Sequence, residues 1–227
     1  EALRDRLARA EAALEVLLRR VENYYKENKI KSDNLGETEV SYGEFMGARE
    51  AADETEKLID NINAVIDNEM QLKAELAKTE RLLATARIYS CYGGSLHPEN
   101  TAHVSVKIGT VPVQQRESFA KAADGVSLLS YKFIAADAES ALITIAAHKA
   151  AEAEVYDLLS GVNFSACPFD GDCTGEQLFA TLTQKKTELS ISIQQLNKEL
   201  LSLEARIREL KIYCDFVGFE LEKAEQC

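Results

Sequence analysis

The sequence predicts an α+β protein in which two long helical flanks surround a compact insert that contains a sheet. All three prolines lie between residues 98 and 168, and proline breaks helix interiors, so the flanks 1–86 and 176–227 can form long helices. Both flanks repeat apolar residues at heptad spacing, whereas the insert alternates apolar and polar residues with a period of two. Together these patterns favour a long antiparallel helical stalk, of the coiled-coil type, that carries a small α/β lobe.

Composition and charge narrow the classes of protein. The 227 residues are 46% hydrophobic and 28% charged, which provides a core and is not a disordered composition. The formal net charge of −12 argues against nucleic acid or an anionic membrane surface as the main partner. No uncharged apolar run approaches the roughly 18–20 residues that a membrane span needs. The opening EALRDRLARAEAALEVLLRR lacks the features of a signal peptide and is typical of a helix already under way, so we expect the chain to begin inside a longer protein.

The N-terminal flank, 1–87, is predicted to form stalk helices with a loop near 29–43. Its apolar residues step alternately by four and three along the chain, which we call a seam. The first seam contains Leu3, Leu7, Ala10, Leu14, Leu17, Val21 and Tyr24, and a later one contains Leu58, Ile62, Val65, Leu72, Leu76 and Leu83. Glu69 and Thr79 occupy two positions of the later seam. Glu69 has two interpretations: a partly exposed residue at the seam edge, or a polar contact that sets the register with a partner helix.

The lobe, 88–172, begins with a strand over 102–109 that Gly109 ends. Pro112 suits the first turn of a short helix over 113–123. Phe119 and Ala123 are expected to face inward from that helix.

Three further strands are predicted in the lobe, at 129–133, 141–147 and 162–166. A helix over 148–160 precedes the last strand and ends at Gly161. Its inward residues are expected to be Ala151, Val155, Leu158 and Leu159. The resulting order, β-α-β-β-α-β, is the ferredoxin-like arrangement.

The C-terminal flank, 173–227, is predicted to be one unbroken stalk helix over 176–226. Thr174, three residues before Gln177, can cap its start. Its seam contains Leu189, Ile193, Leu196, Leu200, Leu203, Ile207, Leu210, Cys214, Val217, Leu221 and Ala224. A helix of this length cannot bury such a seam against itself, so it needs a partner helix.

The cysteines are odd in number and scattered, which favours reduced thiols over a disulfide framework. They are Cys91, Cys167, Cys173, Cys214 and Cys227. The segment CPFDGDC (167–173) holds two thiols and two carboxylates, but zinc sites favour shorter cysteine spacings and a second ligand pair. A loop that leaves the lobe is therefore favoured over a metal site, and a reversible disulfide there remains open.

No set of residues points to catalysis. The histidines are His97, His103 and His148, and none has a visible orienting acid and substrate pocket. The Gly93–Gly94 pair lacks the lysine and hydroxyl residue of a phosphate-binding loop. We therefore expect a chain that is not an enzyme, with no catalytic, cofactor-binding or metal-ligating residue, and we assign no partner-contact residue.

Three segments resemble a known family. They are VSVKIGTVP (104–112), ITIAAHKAAEAEVYDLL (143–159) and YCDFVGFELEKAEQ (213–226), in that order between heptad helices. Together they are similar to the cytoplasmic N-terminal half of V-type ATP synthase subunit I, also called subunit a. The resemblance covers most of the chain and corresponds to the distal lobe of that half with its connecting helices.

The resemblance implies a stator subunit on the cytoplasmic face of the membrane. Family members anchor the peripheral stalks, which are heterodimers of subunits E and G, and so resist the torque of a rotary ATPase that couples ATP to proton or ion transport. The proximal lobe and the membrane half of the family are absent from this sequence, so no ion-channel role falls on any residue here. Any membrane contact would run through that absent C-terminal half.

A second reading does not depend on the family. The chain could be a coiled-coil binding or dimerisation module whose ferredoxin-like head recognises a small ligand. A specific ligand of the head would favour this reading, whereas binding to a peripheral stalk would favour the first.

Overall fold

The computed structural model describes residues 2–30 and 39–226 and divides them into two compact units. The helical unit is formed from the described residues up to Leu76 and from Leu189 onward, and the α/β unit from Ala77 to Glu188. Helices and a four-stranded antiparallel sheet are both present, so the predicted α+β class is confirmed.

Seven α-helices and four strands make up the described chain. The helices are α1 (Ala2–Asn28), α2 (Tyr42–Glu50), α3 (Ala52–Ala86), α4 (Arg116–Ala123), α5 (Glu152–Gly161), α6 (Gly175–Ser202) and α7 (Ile207–Glu225). The strands are β1 (Val104–Pro112), β2 (Leu129–Ala136), β3 (Ser140–His148) and β4 (Ser165–Ala166).

The helical unit buries its apolar residues between α1, α3, the end of α6 and α7, with α2 also packed on α7. Its buried residues include Ala10, Ala13, Leu17, Val21, Ile59, Ile62, Leu200, Leu210, Tyr213 and Val217. Most of the predicted seam residues lie in or against this core. Heptad spacing therefore identified the buried faces of these helices correctly.

The inward position at the end of α1 was predicted wrongly. Tyr24 is 42% exposed, and its neighbour Tyr25 packs against the core instead. A straight α-helix drifts by about 20° per heptad from a strict seven-residue repeat. Over the three heptads from Leu3 this drift brings Tyr25 closer to the buried face than Tyr24.

The C-terminal helix is broken, contrary to the prediction of one helix over 176–226. α6 ends at Ser202, a 3₁₀ turn covers Glu204–Arg206, and α7 begins at Ile207. The Leu203 amide donates to the Leu200 carbonyl at 3.1 Å, so the break consists of tighter three-residue hydrogen bonds. Heptad spacing does not reveal such a break, because the apolar residues continue through it.

Helix α2 was not predicted, because its residues fall at the end of the polar stretch assigned to a loop near 29–43. Residues 31–38 of that loop lie outside the described chain. Ser41 caps α2 through a capping box: its hydroxyl accepts from the Glu44 amide, and the Glu44 carboxylate accepts from the Ser41 amide. The spacing of Ser41 and Glu44 was a signal for this helix start in the sequence.

The sheet of the α/β unit has the strand order β2-β3-β1-β4, and all neighbouring strands are antiparallel. From Val104 to Ala166 the elements follow the order β-α-β-β-α-β. Phe119 and Ala123 on α4 are buried, as predicted. On α5 the predicted inward residues Val155 and Leu159 are buried.

Strand β1 does not end at Gly109 as predicted, but continues to Pro112. Gly109 is needed where β4 pairs closely with β1. A Cβ atom on Gly109 would lie 2.2 Å from the Ser165 carbonyl oxygen and 2.5 Å from the Phe164 ring. The predicted last strand over 162–166 is shortened to Ser165–Ala166, which pairs with Gly109 and Thr110 only.

Alternate residues of the strands enter two apolar clusters, one on each face of the sheet. Val111 and Ile143 pack with α4 and α5, whereas Ile108 and Leu142 pack with Tyr89 and other residues of the second cluster. Both faces of the sheet are thus covered within the α/β unit.

We predict that Gly109→Ala destabilises the α/β unit by about 1–3 kcal/mol, because the added methyl group forces β4 away from β1. Gly161→Ala is the matched control, since a Cβ atom there meets nothing within 4 Å. Urea unfolding followed by circular dichroism measures both variants. Equal stability of the two variants would contradict the close strand crossing.

Candidate functional site

The histidines that the sequence singled out have structural partners. His103, just before β1, and His148, the last residue of β3, stack with ring centroids 6.0 Å apart. His148 Nδ1 accepts a hydrogen bond from the Ala150 amide at 3.1 Å, so this residue caps the turn before α5, as its position predicted. The His97 ring bonds to the Phe169 carbonyl oxygen. None of these contacts places a carboxylate on an imidazole.

The segment CPFDGDC is a loop, as predicted. The Cys167 amide donates to the Ile108 carbonyl at 2.8 Å, and the Cys173 carbonyl accepts from the Leu96 amide at 2.9 Å. In residues 2–30 and 39–226 no group of three or more histidine, cysteine, aspartate or glutamate side chains could hold a metal ion. The loop is fixed at both ends to neighbouring backbone of the α/β unit.

A groove of about 470 Å³ lies beside β1 and α5 in the α/β unit. Val106, Lys107 and Ile108 of β1 line one side of it, and Tyr156 and Leu159 of α5 line another. Because β4 is only two residues long, it does not cover this part of β1. The groove is lined by apolar residues together with polar ones that include Lys107 and His97, a mixture found in many small-ligand sites.

The helical unit contains a buried charged cluster at Glu69. Glu69 on α3 is only 3% exposed, and its carboxylate binds Arg20 of α1 and Lys73, the latter at 2.8 Å. Arg20 also donates to Asn197 Oδ1 of α6 at 2.7 Å. The interpretation of Glu69 as a partly exposed seam-edge residue is therefore wrong. The alternative, a polar contact to another helix, is what the structure contains.

Burial and ion pairing act against each other at Glu69. Burial alone would raise the pKa of its carboxyl, but the hydrogen bonds from Arg20 and Lys73 outweigh burial and lower the pKa below its ordinary value. The folded protein therefore holds Glu69 ionised. That stabilisation is present at neutral pH and is lost as the pH falls through the folded-state pKa.

A second polar cluster joins α1, α3 and α7. Arg6 Nε lies 2.7 Å from Glu56 Oε1, and the Arg6 guanidinium also donates to the Tyr213 hydroxyl at 2.6 Å. The Tyr213 hydroxyl donates in turn to Glu56. Burial, followed by the hydrogen bond to Glu56, raises the pKa of Tyr213 to about 12. Each member of this cluster is satisfied, so its role in the structure is to orient three helices.

Sequence reasoning missed both polar clusters. Arg20 and Arg6 fall outside the seams, and heptad spacing predicts that such residues face solvent. Glu69 at a seam position was the available signal, because a buried carboxylate requires a cationic partner. The identity of that partner could not be read from spacing, since Arg20 is 49 residues away.

The described helices include none that is both long enough and apolar enough to cross a bilayer. No family model and no curated protein matches the chain in sequence.

Solved structures match the chain, and the following one covers almost all of it. It is the cytoplasmic N-terminal domain of subunit I, homologue of subunit a, of V-ATPase. The match covers 99% of this chain and 72% of that chain, with a TM-score of 0.53 and 12% sequence identity. At this identity the likeness is one of fold. The resemblance of the three short segments thus extends to the fold over 99% of the chain.

We predict that Glu69→Gln lowers the free energy of unfolding by about 1–3 kcal/mol at pH 7, because it removes the charge that Arg20 and Lys73 bind. Asp67→Asn, an exposed acid-to-amide change on the same helix, is the control and should change stability by less than about 0.5 kcal/mol.

The difference between Glu69→Gln and the unaltered protein should shrink as the pH falls through the folded-state pKa of Glu69, since protonation then removes the same charge. Urea unfolding at a series of pH values measures it. A pH-independent difference would contradict the ion-pair explanation.

Proposed function

We propose that this chain is a non-catalytic fragment of a V-type or archaeal-type rotary ATPase, from the subunit I or subunit a family. The observation that carries the proposal is the fold likeness over 99% of the chain. The second support is independent of it: the helices of the helical unit are joined by partly buried polar contacts, which suit a part that transmits force more than one that binds substrate.

Within that complex we propose a stator role. The chain would anchor the peripheral stalk, a heterodimer of subunits E and G, contact other stator subunits, and resist the torque of ATP-coupled proton or ion transport. It would lie at the cytoplasmic face of the membrane. A stator must resist bending, and the Arg20–Glu69 pair makes sliding of α1 against α3 unfavourable, because sliding would break that pair and leave the buried Glu69 carboxylate with Lys73 of its own helix alone.

The proposal also includes the stalk and the lobe of the chain. We infer a coiled-coil stalk from the predicted regions 1–87 and 173–227 and a ferredoxin-like distal lobe from 88–172. The strand order β2-β3-β1-β4 and the β-α-β-β-α-β sequence of elements support the ferredoxin-like assignment. The heptad seams of the flanks support the stalk.

An exposed tyrosine of the α/β unit provides a surface for docking of the peripheral stalk. Tyr156 of α5 is 71% exposed and borders the groove beside β1. Tyrosine is enriched among residues that dominate binding energy at protein interfaces. We place the contact with the peripheral stalk, the E–G heterodimer, at this surface.

The test is titration calorimetry of the full chain with purified E–G heterodimer. We expect binding with a dissociation constant in the micromolar range or tighter, and a loss of about tenfold or more for Tyr156→Glu. Tyr42→Glu, a matched change at an 80% exposed tyrosine of α2, should bind like the unaltered chain.

No detectable heat at tens of micromolar of both proteins would overturn the stator proposal. If both substitutions weaken binding equally, or if neither weakens it, only the assignment of the contact surface to Tyr156 would be overturned.

The groove beside β1 favours a second candidate function, a coiled-coil binding or dimerisation module whose ferredoxin-like head takes a small ligand. Its volume of about 470 Å³ lies within the usual range for such sites. A thermal-shift screen with nucleotides and amino acids tests this candidate. A ligand whose thermal shift is abolished by Lys107→Glu would support this candidate, provided that Lys132→Glu, on the edge strand β2, leaves the shift unchanged. A screen without hits would leave the stator function as the better account.

A further inference from the structure

Cys167 and Cys173 lie at the two ends of one seven-residue loop in the α/β unit. Both side chains are partly buried against the same apolar cluster, which contains Tyr89 and Phe169. The other cysteines have different surroundings. Cys91 is exposed, and Cys214 is buried in the helical unit. Cys167 and Cys173 are therefore the two thiols of the described chain that converge on one cluster within one loop.

The backbone holds both ends of the loop. The Cys167 amide donates to the Ile108 carbonyl on β1, and the Cys173 carbonyl accepts from the Leu96 amide. Between these anchors Gly171 adopts a φ of +109°, a conformation that glycine reaches without strain and that allows a sharp reversal. The loop thus returns the second thiol toward the cluster that already holds the first.

We propose that Cys167 and Cys173 are a redox modification site that closes to an intraloop disulfide when it meets a low-molecular-weight disulfide such as glutathione disulfide. The inference does not rest on the proposed stator function, since it uses only contacts within the α/β unit.

The reaction proceeds by two thiol–disulfide exchanges. One cysteine loses its proton to solvent, and its thiolate attacks a sulfur of glutathione disulfide, which forms a mixed disulfide and releases one glutathione thiolate. The second cysteine then loses its proton and attacks the protein sulfur of the mixed disulfide, which releases the second glutathione. Two protein thiols are oxidised, and one glutathione disulfide is reduced to two glutathione molecules.

The surroundings of Cys167 disfavour its thiolate. Burial raises the pKa of the Cys167 thiol, and the nearby Cys173 and Asp170 raise it further. The thiolate is the reactive form, so Cys167 suits the second, intramolecular step, in which the mixed disulfide is held beside it.

Closure of the loop should stabilise the folded unit. A cross-link restricts the unfolded chain, and here it would also fix the loop on the cluster around Tyr89. The oxidised chain is therefore expected to unfold at a higher temperature than the reduced chain.

The test equilibrates the full chain in glutathione buffers of graded redox ratio, blocks the remaining thiols with iodoacetamide, and digests with trypsin. The peptide 150–185 contains Cys167 and Cys173 and no other cysteine. We expect this peptide to lose about two mass units and to escape alkylation. Folded chain should reach half-oxidation at about a tenfold or more lower ratio of oxidised to reduced glutathione than chain unfolded in urea.

Two variants separate this disulfide from other thiol chemistry. Cys91→Ser should oxidise like the unaltered chain, whereas Cys173→Ser should leave Cys167 alkylated or carrying a single glutathione. Folded and unfolded chains that oxidise at the same ratio would overturn the proposal. A disulfide between the 150–185 peptide and the Cys91 peptide, or two glutathiones on 150–185, would overturn it as well.

Discussion

The buried carboxylate of Glu69 is the constraint on which the helical unit depends. A carboxylate that is 3% exposed must be paired, and Arg20 of α1 and Lys73 supply the pairing charges. Arg20 bonds at the same time to Asn197 of α6. One guanidinium therefore connects three helices, and a slip of α1 by one helical turn would break its bonds to both Glu69 and Asn197.

The second polar cluster constrains the register of the helices in the same way, at another position along them. Arg6, Glu56 and Tyr213 connect α1, α3 and α7, and all three are satisfied by one another. Apolar seams alone allow neighbouring registers, because leucine against leucine is tolerant of a shift. Two separate polar clusters remove that tolerance. This is the physical basis for regarding the unit as a part that holds a fixed geometry.

Sequence patterns predicted the faces of the elements better than their ends. The seams located the buried faces of α1, α3 and α7, and period-two alternation located β1 and β2, because both signals average over several residues. The break at Leu203, the short helix after Ser41 and the passage of β1 through Gly109 depend on single residues and their tertiary neighbours. Gly109 shows the difference clearly: in sequence it reads as a strand end, whereas in the structure it lies where β4 comes too close for any side chain.

The candidate site was harder to predict than the fold. Histidines and cysteines stand out in a sequence, yet His148 caps a turn and His97 contacts a backbone carbonyl. The groove beside β1 arises because β4 stops after two residues, and the spacing of residues in the sequence does not predict so short a strand. The polar clusters join residues far apart in the chain, so their partners become visible only in three dimensions.

The most direct test of the proposed function is to identify the proteins that accompany this chain in its native cell. The chain would be immunoprecipitated from gently solubilised membranes, and the co-purified proteins identified and quantified by mass spectrometry. A rotary-ATPase assignment predicts the catalytic and peripheral-stalk subunits of such an ATPase in fixed stoichiometry with this chain. Recovery of the chain without them, from membranes whose ATPase is intact, would contradict the account.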